Sequence, residues 1–433
     1  MNLLIKNGRV IDPANNIDGK LDILVKGSRI ERVAPNIGEE DAMMIDASNK
    51  VVVPGLVDVH VHFREPGRHA YKETIKSGAR AAAKGGFATV VCQPNTDPRI
   101  EDATHVKAIL DRAKKESIVN IYPSSCITRG LCHEELVNFK EVKAAGAVKI
   151  TDDGDPVVYK ELMYEALREA QNVSIPISSH CELSRWAEHI LKDLKNPDIV
   201  LGFKLSPCKY YKAETAFVKR DIELARKVDW PIHIEHVSLR ASVDEIRRAK
   251  VQDCQVTAEV TPHHFTLTKE DEEKYGTNAK TNPPLREMED IEALREGLAD
   301  GTIDIIASDH APHTVEDKNV GWDDAPYGVI GLETILGVVL TELVDKKVIS
   351  LYDAITKLTI NPAKFFDLNA GTLSVGMPAD ITIIDLEREW IVDVNKFESM
   401  ARNCPFHSWK LKGKAVTTIV NGELAMQDGK IID

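Results

Sequence analysis

The 433 residues include no CxxC pair, and the seven cysteines, Cys92, Cys126, Cys132, Cys181, Cys208, Cys254 and Cys404, are odd in number. That usage argues against a disulfide frame and for reduced thiols packed as small hydrophobes. No apolar stretch approaches the roughly 20 residues that a bilayer demands. The opening "MNLLIKNGRVIDP" lacks a basic-then-apolar leader, so a soluble, cytoplasmic protein without a membrane partner is expected. Lysine and arginine nowhere form a block, and 55 basic against 68 acidic residues leave a net charge of -13. Nucleic acid is therefore excluded as a partner on electrostatic grounds. Also missing is a glycine-rich phosphate turn after the first apolar run, which argues against a doubly wound dinucleotide-binding sheet.

What is present is a chain with 43% hydrophobic residues, enough for one large α/β domain and a smaller one. Both ends read as short alternating strands broken by Gly and Asn, "LLIKNGRVID" and "KLDILVKGSRIERV" near the start, "ADITIIDLEREWIVD" and "KAVTTIVNGELAMQDGKII" near the finish. Residues 1–52 and 366–433 are therefore expected to form one composite β-sandwich, entered through "GTLSVGMPA". Residues 53–365 alternate apolar runs with helical stretches such as "KETIKSGARAAAKGG", which is closed by Gly85 and Gly86. Eight runs can be counted: "LVDVHVH", "FATVVCQ", "SIVNIYPSS", "AVKITDD", "IPISSH", "PIHIEH", "QVTAEVTP" and "IDIIASD". Eight strand-then-helix repeats predict a (β/α)8 TIM barrel.

In that fold the active site lies at the carboxyl ends of the strands. Five of the runs end there in His or Asp: His60 and His62, Asp153, His180, His236 and Asp309. Strand alternation sends His60 and His62 to the same face. Imidazole and carboxylate are the donors that zinc, or manganese or cobalt in its place, accepts in catalytic sites. Four histidines and two aspartates exceed the needs of one ion, so two are expected, with a bridging hydroxide as nucleophile. His60, His62 and Asp309 are assigned to one ion, His180 and His236 to the other. The bridging anion is either Asp153 or a carboxylated Lys149, four residues earlier in "GAVKITDDG"; Asp153 is favoured because a short side chain must stand at the rim. Asp152, of opposite parity, should face away.

Together "PGLVDVHVHFREPG", "GGFATVVCQPNT", "ITDDG", "SSHCE", "IEHVS", "EVTPHH", "NPPLR" and "ASDHAPH" resemble the bacterial type I dihydroorotases of the amidohydrolase superfamily, over nearly the whole chain. The resemblance implies a binuclear zinc enzyme of pyrimidine biosynthesis that interconverts N-carbamoyl-L-aspartate and L-dihydroorotate. It places metal ligands on His60, His62, Asp153, His180, His236 and Asp309, and substrate contacts on Arg64, Asn95, Asn282 and His313, with backbone from Tyr327 and Gly328. The partner expectations are a homo-oligomer and association with aspartate carbamoyltransferase, which supplies carbamoyl aspartate. The chain departs from the family pattern after "SSHCE", where "LSRWAEHILKDLKNPDIVLGFKLSPCKYYKAET" reads as more helical, and at the lysine before "ITDDG".

A cyclic amide bearing a carboxylate suits these residue types. The planar fork of Arg64 can grip a carboxylate with two hydrogen bonds. Asp309, beside the nucleophile, can take its proton and pass it to the departing nitrogen. His313 can donate to the carboxylate, while His310, His263 and His264 read as packing. The stretch 314–328, with Gly321 and Gly328, reads as a lid. The nearest alternative is a dihydropyrimidinase, hydantoinase or allantoinase, whose substrates lack the ring carboxylate; Arg64 discriminates, since allantoinase-like sequences lack an arginine in that slot.

Overall fold

The computed structural model describes residues 2–38, 41–183 and 213–432. Residues 184–212, most of the segment after "SSHCE" and including Cys208, lie outside them. Each of the eight apolar runs forms a strand, and neighbours pair in parallel around a ring. In chain order the strands are Leu56–Val61, Phe87–Cys92, Asn120–Ser125, Lys149–Ile150, Ile177–Ser179, Ile232–Ile234, Val256–Val260 and Ile305–Ile306. Every residue of the first two is buried, as expected where helices cover a parallel sheet and side chains fill its interior. The last strand meets the first at its upper end. There the His62 N–H donates to the His310 carbonyl at 2.8 Å, and the Asp58 carboxylate accepts from His60 N–H at 3.0 Å and Ser308 N–H at 3.2 Å.

Local sequence dictates where the helices begin. In "KETIKSGARAAAKGG" the helix spans Ile75–Gly85, because the Thr74 hydroxyl accepts from Ser77 N–H and Ser77 returns the bond to the Thr74 backbone. Lys72 and Glu73 are thereby left outside the helix, free to turn toward the barrel mouth. The far end stops at Gly86, whose φ of 95° suits glycine. The alanine run, Ala79 and Ala81 to Ala83, is buried.

Two further sheets flank the barrel. One has four strands, Asn2–Lys6, Asp22–Lys26, Arg29–Ala34 and Met43–Asp46. The other has seven and draws on both ends of the chain: Val51–Pro54 runs parallel to Arg9–Asp12 and antiparallel to Ile381–Ile391, which pairs with Lys410–Val420. Leu3, Ile23, Val52, Ile381 and Ile419 belong to one apolar core shared by these sheets. Only Gly55 separates Val51–Pro54 from the first barrel strand. The Thr382 hydroxyl, donating to the Gly86 carbonyl at 2.6 Å, ties the same sheet to the first barrel helix. No helix among the described residues is long and apolar enough to cross a membrane.

Candidate metal centre

Asp153 stands three residues beyond the fourth strand, and its two oxygens divide four imidazoles between them. Oδ2 lies 3.5 Å from His60 Nε2 and 3.2 Å from His62 Nε2; Oδ1 lies 3.4 Å from His180 Nδ1 and 3.6 Å from His236 Nε2. Asp309 Oδ1 adds contacts of 3.1 Å to His62 and 3.5 Å to His60. Two donor groups result, His60 with His62 and Asp309, and Asp153 with His180 and His236, the atoms of each lying within 4.8 Å of one another. Glu235 comes within the same distance of the second group. Its oxygens are engaged, however: Oε1 accepts from Gln93 at 3.0 Å and Lys149 at 3.1 Å, Oε2 from Thr151 at 3.1 Å.

These separations suit a shared cation. Two donors each about 2.0 to 2.1 Å from a tetrahedral zinc stand about 3.3 Å apart. His60 Nε2 is a buried ring nitrogen with no hydrogen-bond partner, aimed at two carboxylate oxygens 3.5 Å away. The residues present therefore fit divalent ions, and all six expected ligands converge.

Their aim is set by groups behind them. Glu259 Oε1 lies 2.6 Å from His60 Nδ1, which makes Nδ1–H the donor and leaves Nε2 facing the centre. The other Glu259 oxygen lies 3.1 Å from His233 Nε2, and His233 Nδ1 lies 2.8 Å from the Thr257 hydroxyl. Asn95 Oδ1 is 2.9 Å from His62 Nδ1, and its Nδ2 donates to Asp153 Oδ2 at 3.2 Å. Asn95 thus orients two of the expected ligands as well as lining the site. Arg64, His236 and Asp309 have φ of 56°, 32° and 46°. Such left-handed backbone costs about 1 to 3 kcal/mol per residue and marks positions where the surrounding structure overrides local preference.

Above the donors opens a cavity of about 290 Å³ lined by His62, Asp153, His180 and Asp309, and also by Arg64, Asn95, Asn282, His313, Tyr327 and Gly328. Every expected substrate residue is on its wall, while His60 and His236 lie beneath it. Burial lowers the Arg64 guanidinium to about 10 despite Asp309 and Asp153, so it stays charged at neutral pH. Its Nε donates to the Pro312 carbonyl at 3.2 Å. Asn282 Nδ2 sits 3.3 Å from His180 Nε2. Tyr327 and Gly328 already have protein partners: the Tyr327 carbonyl accepts from His313 at 2.8 Å, and Gly328 N–H donates to the Lys280 carbonyl at 2.9 Å. A Cβ on Gly328 would stand 2.6 Å from Ala311 Cβ, so this residue is a packed corner rather than a free hinge. Lys280 and Lys318 reinforce it by donating to the Ala325 and Pro326 carbonyls at 2.6 and 2.8 Å.

Lys149 does not stand free at the centre. Its amine donates to the Val59 carbonyl at 2.9 Å and to Glu235 at 3.1 Å. Asp152 turns away, as its parity suggested, to accept from Ile127 and Thr128 N–H at 2.7 and 3.0 Å. His310 and His264 are held by packing contacts, His310 Nε2 3.4 Å from Glu73 and His264 Nε2 2.9 Å from the Pro283 carbonyl. The sequence reading missed Glu235, Glu259 and Asn403, whose side chain accepts from His313 N–H at 3.1 Å. The two glutamates had one visible signal, a carboxylate inside the apolar runs "PIHIEH" and "QVTAEVTP".

Residues 51–425 match the amidohydrolase family. The chain is 47% identical over 425 residues to a dihydroorotase of Syntrophotalea carbinolica, covering 98% of this chain and 99% of that one. It is 44% identical over 426 residues to a dihydroorotase of Acetivibrio thermocellus, with 98% and 99% covered. Among solved structures it resembles the L-hydantoinase (dihydropyrimidinase) of Arthrobacter aurescens, with a TM-score of 0.88, 28% identity and coverage of 100% and 97%.

Two outcomes are expected. Burial opposes charge on His60, yet Glu259, Asp153 and Asp309 hold it well above the ordinary histidine value in the metal-free protein. A cation must displace that proton, so affinity should fall as pH drops; calorimetry at neutral pH in buffers of differing ionisation enthalpy should register net proton release. Replacing Glu259 by Gln should weaken binding at the His60 group by about 10- to 100-fold, read by chelator competition, with the second group less affected.

Proposed function

The chain belongs to the amidohydrolase family and, within it, to the dihydroorotases; on that premise we propose that it interconverts L-dihydroorotate and N-carbamoyl-L-aspartate in pyrimidine biosynthesis. It is a hydrolase of cyclic amides. The observation that carries the substrate reading is one cavity lined by members of both donor groups and by the charged fork of Arg64. A ring amide with a carboxylate matches that pairing: the acid goes to Arg64 and the carbonyl to the donor side.

We read His60, His62 and Asp309 as ligands of one zinc, His180 and His236 as ligands of the other, and Asp153 as the bridge; manganese or cobalt would serve the same donors. The division of imidazoles between the Asp153 oxygens supports that bridge, and the engagement of the Lys149 amine by Glu235 speaks against a carboxylated lysine. When bound, the ions supply an ionised water and polarise the carbonyl it attacks. Asp309 carries the proton. Burial would raise its carboxyl, but His60, His62 and His236 hold it well below the usual range, so it begins as a base, takes the proton and returns it to the amide nitrogen. His313 and Arg64 bind the acid, and Asn95, Asn282 and the turn at Tyr327 and Gly328 wall the cavity.

Residues 53–365 are read as the catalytic unit, with 1–52 and 366–433 as its support, because strands from both ends share the seven-stranded sheet. Under the same reading the ring-opened substrate comes from aspartate carbamoyltransferase.

Ring opening of dihydroorotate, dihydrouracil, hydantoin and allantoin should be assayed side by side on zinc-loaded protein. Preference for dihydroorotate is expected; comparable turnover of hydantoin would favour the hydantoinase alternative. Arg64→Ala should raise KM for dihydroorotate by about 10- to 100-fold, the worth of a charge-assisted pair, and leave the uncharged rings unaffected. Asp309→Asn should retain most of the metal by elemental analysis but lose at least about 100-fold in kcat.

A further inference from the structure

Lys72 lies in the loop between the first barrel strand and its helix, and no role read from the sequence touches it. We propose that Lys72 is a positioning residue that fixes the His313 proton on Nε2 and keeps the ring neutral, so that a defined N–H donor stands beside Arg64 on the cavity wall. This rests on the reading that the cavity takes a carboxylate.

The contacts of His313 decide between its protonation states. Nε2 lies 2.8 Å from the Tyr327 carbonyl and 3.3 Å from Arg64 Nη2; Nδ1 lies 3.2 Å from Lys72 Nζ and 3.8 Å from Asp317 Oδ2. With the proton on Nε2, the ring donates to Tyr327 and accepts from Lys72, and only the longer Arg64 contact is unproductive. With the proton on Nδ1, an N–H faces an ammonium and a lone pair faces a carbonyl oxygen at the shortest distance of the set. Two good contacts are exchanged for one. An imidazolium fares worse, because it would meet Arg64, Lys72 and Lys318, against the Tyr327 carbonyl and the more distant Asp317. Burial, Arg64 and Lys72 all push His313 well below the ordinary histidine value.

Lys72 is itself held. Its side chain is 11% exposed and its amine lies 3.0 Å from Asp317 Oδ2, whose carboxylate also accepts from Thr314 N–H at 3.2 Å. It therefore spans from the loop that carries Arg64 to the loop that carries His313. Removing its amine would leave Nδ1 facing Asp317 with no competing donor. The proton would then favour Nδ1, and Nε2 would present a lone pair both to the Tyr327 carbonyl and to a carboxylate bound beside Arg64.

Long-range proton–nitrogen spectra of histidine-labelled, zinc-loaded protein test this, with His313→Gln used for assignment. Wild type should show His313 as the Nε2–H form, unchanged from about pH 5 to 8, the span over which an ordinary histidine titrates. Lys72→Met should shift the signals toward Nδ1–H or the imidazolium and raise KM for dihydroorotate about tenfold, with kcat within about twofold. Lys72→Arg should restore the wild-type pattern. Lys72→Met with wild-type nitrogen signals, or wild type already in the Nδ1–H form, would overturn the proposal whatever the activity. Wild type with the expected spectrum but no turnover of dihydroorotate would remove the substrate reading and leave the role of Lys72 standing.

Discussion

One carboxylate is shared by four imidazoles, and the barrel mouth is organised around that sharing. Each oxygen of Asp153 serves a different pair, so a shift of this side chain disturbs both donor groups at once. The position is held through Asn95, which links Asp153 to His62 and so couples the loop after the second strand to the ends of the fourth and the first. Such a cluster is costly to bury: carboxylates and imidazoles gathered in low dielectric destabilise the fold unless charge is neutralised nearby.

The barrel interior supplies that neutralisation in pairs. Glu259 lies between His60 and His233, and Glu235 between Lys149, Gln93 and Thr151. Burial would raise both acids, yet His60 in one case and Lys149 in the other hold them below their ordinary values. Beneath them His233 packs edge-on against Phe366, with ring centroids 5.3 Å apart, and the Lys149 amine lies 5.4 Å from the centre of the same ring. The transition from apolar floor to polar mouth thus passes through paired charges, which gives the two donor groups a rigid base.

Much of this was legible from the sequence because a parallel barrel writes itself plainly. Its strands are apolar runs, and its candidate site residues stand where the runs stop, so the convergence of His60, His62, His180, His236 and Asp309 could be anticipated by reading each run to its end. Less legible were residues whose meaning depends on a partner far away in the chain. Glu259 is one letter in "QVTAEV" until the barrel brings it against His60, 199 residues distant. Lys72 needs His313, and Asn403 needs a loop 90 residues earlier. Alternation also loses force beyond a strand's end: the fourth strand stops at Ile150, so Asp153 is aimed by its loop rather than by its parity. Gly328 was misread as a hinge for a related reason, since glycine in sequence suggests freedom, whereas here Ala311 leaves no room for a Cβ.

The seven-stranded sheet has a consequence for synthesis. Val51–Pro54 must wait for Ile381–Ile391 to be made before it gains its antiparallel neighbour, and it leads through a single residue into the strand that begins the barrel. A nascent chain therefore carries an unmatched edge, buried in the finished protein, through more than three quarters of translation. Contacts so distant in sequence slow folding and lengthen exposure to aggregation, and this edge stays open until residues 381–391 emerge to cover it.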